Sequence, residues 1–151
     1  MEIRGKNITI LPLLFIALTI LLDIKMMKIE HGIIFTSFAA TAFIIYLAED
    51  ANNSSFVYAH LIGLICGLIL SYIGNSLMIS TTFTAAIGVT FSSLLMKTYG
   101  VEHPPANGTC LGVLLNGCNI SVLSSIFTTL FLVYLMKEIY VFIKNHRISI
   151  F

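Results

Sequence analysis

Charge is scarce in this sequence, and so are the residues that stiffen or staple a small chain. Lysine, arginine, aspartate and glutamate make up 10% of 151 residues, against about a quarter in a soluble domain. Tryptophan is absent, and there are only three prolines and three cysteines. A formal net charge of +1 leaves no basic face with which to hold nucleic acid. The cysteines, Cys66, Cys110 and Cys118, fall in or beside apolar segments at spacings that match no zinc or redox pattern, so they read as small packing residues. The apolar runs hold neither carboxylates nor a close His/Cys set, which argues against an enzyme and calls for no catalytic residue, metal or cofactor.

What the chain does have is apolar length. Hydrophobic residues make up 58% of it, and its mean hydropathy is +0.98. The polar residues are mostly Ser, Thr and Asn, and they lie inside the apolar runs. This predicts an all-α, polytopic transmembrane helical bundle formed as a single membrane domain over residues 1–151, with the lipid bilayer as its main partner. Five stretches approach the roughly 17–25 apolar residues that a crossing needs. They are 7–22, 32–48, 56–73, 77–96 and 120–136. The first carries Pro12 in its opening turns, where a missing N–H costs nothing. "DIKMMKIEHG" after it offers no small-residue cleavage site, so a retained helix is expected rather than a signal peptide. Only Gly74, Asn75 and Ser76 separate the third and fourth stretches, which predicts an antiparallel hairpin. Beyond Met136, residues 137–151 read as an amphipathic interfacial tail.

Between the fourth and fifth stretches lies "MKTYGVEHPPANGTCLGVLLNG", Met96 to Gly117, which holds two of the three prolines. The 14 residues from His103 to Asn116 are too few to cross comfortably and predict a re-entrant half-helix. Pro104 keeps His103 extended, and Pro105 suits a first helical turn. A helix N-terminus at membrane depth would offer unpaired N–H groups and a partial positive charge to a small anion. Half-helix ends near the midplane are where transporters bind cargo. Asn107, Gly108 and Thr109 would add donors and close backbone approach. The alternative is that the triplet is a rigid turn in a non-transporting assembly or partner-binding module.

Small residues recur along the spans. Ala59, Gly63, Gly67 and Ser71 mark one face, and Thr84, Gly88 and Ser92 another. Ser37 and Thr41 do the same on the second stretch, and Ser121, Ser125 and Thr129 on the last. Either close helix packing or a hydroxyl-lined path accounts for such stripes. With five crossings, Lys25, Lys28, Lys137, Lys144 and Arg147 fall on one side, and Arg4, Lys6 and Lys97 on the other. Five against three places the N-terminus outside and the C-terminus in the cytoplasm of a plasma or inner membrane. Five short helices give one protomer little material to enclose a path, so a homo-oligomer is expected.

Three blocks in order resemble the HPP family of small integral membrane proteins. "SFAATAFIIYLA" (Ser37 to Ala48) is similar to its Ser-Phe-Gly-Ala-Thr-Ala block, and "AHLIGLICG" (Ala59 to Gly67) to its Gly-His block. "HPPANGTCLGVL" is similar to its HPP-Ala-Gly-Ala block. Ala39, Ala59 and Asn107 stand where the family has glycine, and the segment before His60 lacks the proline often found there. The resemblance implies a transporter-like protein, and members are associated with nitrite uptake across plastid or bacterial membranes. The expected function is therefore a transporter or channel for a small inorganic anion, nitrite or nitrate first; a histidine, with an unperturbed pKa near 6.5, could carry a proton with it. Its expected binding residues are His103, Pro104, Pro105, Asn107, Gly108 and Thr109, with His60, Ser37 and Thr41 lining the path.

Overall fold

The computed structural model describes residues 10–26, 32–47 and 54–147. Within them are six helices and no strand: α1 (Ile10–Met26), α2 (Gly32–Leu47), α3 (Ser55–Ser76), α4 (Thr81–Thr98), α5 (Ala106–Asn116) and α6 (Ile120–Arg147). The all-helical bundle expected from the apolar runs is present. Residues 7–9, the acidic connection at 48–53, the basic residues Arg4, Lys6 and Lys28, and the last four residues lie outside the described set. On their own, Ser55–Ser76 and Ile120–Asn145 are long and apolar enough to cross a membrane.

The ends of the central helices follow from local chemistry. α3 closes in a Schellman arrangement, in which Ile79 N–H donates to Gly74 O (2.9 Å) and Met78 N–H to Asn75 O (3.4 Å). That places Met78 at a φ of 52°, a left-handed position where glycine is the usual occupant. Ser80 then caps α4 through its hydroxyl, which accepts from Phe83 N–H. α4 ends in the same way, with Gly100 at the left-handed position and Val101 N–H donating to Met96 O (2.9 Å). Gly117 stops α5, and Asn119 starts α6 by accepting from Val122 N–H at 2.9 Å.

Contacts between helices set their directions. Gly63 faces Ala106 and Gly67 faces Cys110, so α3 and α5 run parallel. Ser92 meets Asn107 while Gly88 meets Leu114, so α4 runs antiparallel to α5. Ser37 meets Gly108 while Ile34 meets Gly112, which makes α2 antiparallel to α5 as well. α6 returns to the end where α3 begins, because Lys137 Nζ donates to Ser54 Oγ at 2.8 Å. Segment 103–116 therefore passes inward from the α3 N-terminal end and on toward the other end. It does not turn back as a re-entrant segment would, because α5 keeps one direction from Gly63 past Gly67 to the level of Thr84. Residue 137 likewise starts no separate tail: α6 is continuous through Arg147, and Lys137 is buried against Ser54 and Glu138.

The main core joins α1, α2, α3, α5 and α6 around Ile34, Phe38, Ile45, Val113, Ile126 and Val133. At one end Phe15, Tyr46 and Tyr140 meet in a ring cluster with centroids 5.1–5.7 Å apart. The closest helix contact is between α3 and α5. A Cβ at Gly67 would sit 2.9 Å from both the Cys110 carbonyl oxygen and Val113 Cβ, and one at Gly63 would collide with the Ala106 carbonyl. Gly67→Leu should therefore force the helices apart at a cost of about 1–3 kcal/mol or more. Gly32→Ala, which meets nothing within 4 Å, is the matched control; thermal unfolding in detergent compares the two. Met78→Gly should stabilise the protein by about 1 kcal/mol in the same measurement, since it relieves the left-handed methionine.

Candidate functional site

Four elements bring polar side chains to one point inside the bundle. Thr41 comes from the middle of α2, and His60 is the sixth residue of α3, about 8 Å in from its start. His103 stands before α5, and Thr109 lies in its first turns. All four are buried. Thr41 Oγ1 is 2.9 Å from His60 Nε2 and 2.9 Å from His103 Nε2, and it donates to Ser37 O at 3.1 Å. His60 Nδ1 is 2.7 Å from Thr109 Oγ1. The two imidazole centroids are 5.5 Å apart, and Phe38 stacks on His60 at 4.3 Å and 10°.

Counting protons assigns the tautomers. A threonine hydroxyl has one hydrogen and two lone pairs. Ser37 O can only accept, so Thr41 gives its hydrogen there when all three contacts are made at once. Both histidines then donate from Nε2 to Thr41, and Thr109 donates to His60 Nδ1. One hydroxyl thus places a hydrogen on Nε2 of both rings.

The turn ahead of α5 works differently from the sequence-based expectation. Pro104 and Pro105 have no N–H. The next three N–H groups are spent inside the turn: Ala106 donates to His103 O at 2.9 Å, Asn107 to Pro104 O at 3.1 Å, and Gly108 to Pro105 O at 2.9 Å. The N-terminus expected to present unpaired N–H groups to an anion has each of these in use. Ser37 Oγ also donates to Pro105 O, which ties α2 to the same turn. Gly108 packs against Ser37, where a side chain would collide.

His103 borders a cleft of about 210 Å³ lined by Ser93, Met96, Lys97, Glu102, Pro104 and Asn107. Asn107 holds the α4 side of this cleft: its Oδ1 accepts from Ser92 Oγ at 2.5 Å, and its Nδ2 donates to Ser93 Oγ at 2.8 Å. Lys97 and Glu102 are exposed at this cleft, and His103 is a buried member of its lining.

The family model for the HPP transmembrane region matches residues 7–147. The chain belongs to the HPP family. No curated protein and no solved structure matches it. Family membership makes this a membrane protein in contact with the bilayer, and the tripeptide that carries the family name is the turn just described.

Of the nine residues expected at the site, His103, His60, Thr41 and Thr109 join in one hydrogen-bonded cluster, with Ser37 attached through Thr41 and Pro105. Pro104 and Asn107 line the cleft instead, and Gly108 serves packing. On α4, Thr84, Thr90, Ser93 and Thr98 each donate to a carbonyl four residues back. Sequence reasoning missed Ser93, Lys97 and Glu102 as cleft residues and Phe38 as the ring over His60. Phe38 lies inside the family-like block beside Ser37, which was a usable signal. Thr41→Val should strand two buried imidazole N–H groups and cost about 1–3 kcal/mol, while Thr41→Ser keeps the hydroxyl and most of the stability; denaturation of the purified variants in detergent distinguishes them.

Proposed function

We propose that this HPP-family protein carries a small inorganic anion across the membrane, nitrite or nitrate first, without enzymatic chemistry. The observation that supports it best is the pair of buried histidines meeting at one hydroxyl beside an open cleft. Buried ionisable groups in membrane proteins are costly, and they mark ion and substrate pathways. Here the cleft would admit the anion past Lys97, and His103 would receive it from the cleft lining. Imidazole and hydroxyl hydrogens would take the role that helix N–H groups were expected to fill, since the turn keeps those for itself. The helix dipole of α5 still favours negative charge at this end.

The proposed path has six crossings rather than five, with segment 103–116 as the short one, its extended turn making up part of the span. On that path both termini share a side with the α4–α5 connection. Arg4, Lys6, Lys97, Lys137, Lys144 and Arg147 fall there, against Lys25 and Lys28 opposite, six to two. The positive-inside tendency then makes both termini cytoplasmic, in place of the external N-terminus that five crossings implied. We expect a homo-oligomer in the plasma or inner membrane, with each protomer enclosing its own site.

A second reading keeps the histidine–proline–proline turn purely structural, in an assembly or partner-binding module. The closed hydrogen bonding of the turn favours it. Uptake into proteoliposomes separates the two. Saturable flux of nitrite or nitrate, reduced at least tenfold by His103→Ala in protein that still inserts and assembles, is the expected result. Flux unchanged by His103→Ala would remove His103 from the site, and no flux of any anion in sealed vesicles would leave the assembly reading standing.

A further inference from the structure

We propose that Thr129, near the middle of the bundle on α6, is a second station for the anion, its hydroxyl donating to the cargo after the histidine cluster. This deepens the transport reading above and rests on it. Among the described residues, Thr129 Oγ1 is the buried side-chain polar atom left without a hydrogen-bond partner, and the residue is only 1% exposed. A hydroxyl stranded in an apolar core costs free energy, so its presence there calls for a reason.

A helical threonine has a ready remedy, which is to donate to the carbonyl four residues back. Thr19 does so to Phe15 O at 2.8 Å, Thr84 to Ser80 O at 3.1 Å and Thr90 to Ala86 O at 2.9 Å. Thr129 has Ser125 one turn behind it and makes no such bond. Its hydroxyl is therefore held off its own backbone and inside the bundle. The same side of α6 carries Val122, Ile126 and Val133, which join Ile34, Phe38 and Val113 in the main core. Of the recurring hydroxyls Ser121, Ser125 and Thr129, only Thr129 is buried.

Its depth follows from the helix directions. α2 and α6 both run toward the end where α3 begins, and Tyr46 and Tyr140 put them in register with ring centroids 5.1 Å apart. Thr129 precedes Tyr140 by 11 residues, and Thr41 precedes Tyr46 by five. At 1.5 Å per residue, Thr129 lies about 9 Å deeper than Thr41. That is the level at which Ile34 packs on Gly112, about one turn beyond Thr109 on α5. Phe38, stacked on His60, stands between the two levels. Thr129 is also nine residues from the start of α6 and eight from Lys137, so it sits about midway between the two ends.

A single hydroxyl suits a passing anion. A bare anion in an apolar interior is costly, and a donor placed beyond the cluster lowers the barrier to leaving it. A site with many donors would hold the cargo instead of releasing it, whereas conduction needs binding weak enough to leave.

The test replaces the hydroxyl by a methyl of the same shape, Thr129→Val, in the purified full chain. In proteoliposomes with nitrite and nitrate as probes, the maximal protein-dependent rate should fall at least fivefold. The half-saturation concentration should change less than twofold, because entry still occurs at the cleft. Thr129→Ser, which restores a hydroxyl, should recover most of the rate. Thermal unfolding of Thr129→Val in detergent should match the unsubstituted protein or lie about 2–4 °C above it, since no bond of the fold is lost. A lower unfolding temperature would show the hydroxyl serving the fold and overturn the inference. An unchanged rate in Thr129→Val overturns it too and leaves transport standing. Absence of flux in the unsubstituted protein overturns the transport reading and this inference with it.

Discussion

The close approach of α5 to α3 is the constraint on which the rest of the structure depends. Gly63 and Gly67 let the backbone of α5 lie directly against α3, at a distance that no side chain at either position permits. That contact sets Thr109 against His60 and brings the turn before α5 to the level of Thr41. A helix of 11 residues, about 16 Å long, buries little surface and would not hold its place by length alone. It is held because three neighbours grip it: α3 by glycine contact, α4 through Ser92, Ser93 and Asn107, and α2 through Ser37 and Ile34.

The prolines contribute by subtraction. A helix that begins inside an apolar bundle has N–H groups with no water to satisfy them, and each orphan costs free energy. Two prolines remove two of those donors, and the turn carbonyls accept the next three. The chain can thus start a helix at depth without leaving polar backbone exposed to hydrocarbon. Side chains are then free to supply the chemistry, and the buried cluster is made of imidazoles and hydroxyls with each described contact matched. Thr41 is its hub, since its one hydrogen and two lone pairs are all committed.

The polar residues divide into two populations that look alike in sequence. Hydroxyls on α4 mostly return to their own helix backbone, which is how a serine or threonine avoids an unmet bond in an apolar setting. Ser37, Thr41, Thr109, Ser92 and Ser93 also reach across to other elements. Both kinds recur at helical spacing, so periodicity could not separate them. The difference lies in which face of each helix meets a neighbour.

Scarce charge and long apolar runs determined by themselves that this chain is an all-helical membrane protein, because a helix satisfies its backbone within the segment and the runs are continuous rather than alternating as in a barrel strand. Three ordered motif blocks were enough for its family and for His103, His60, Thr41 and Thr109 as residues of interest. A short helix after the prolines was legible too, since proline fixes its own φ and restricts the residue before it. Only the tertiary structure decided that this helix runs on through the bundle instead of returning. Direction depends on which side chains of α5 meet α2, α3 and α4, and local sequence carries no information about partners far along the chain. The convergence of both histidines on one hydroxyl was likewise beyond sequence. It requires residues separated by 19 and 62 positions to come within 2.9 Å of Thr41, and only packing can bring them there.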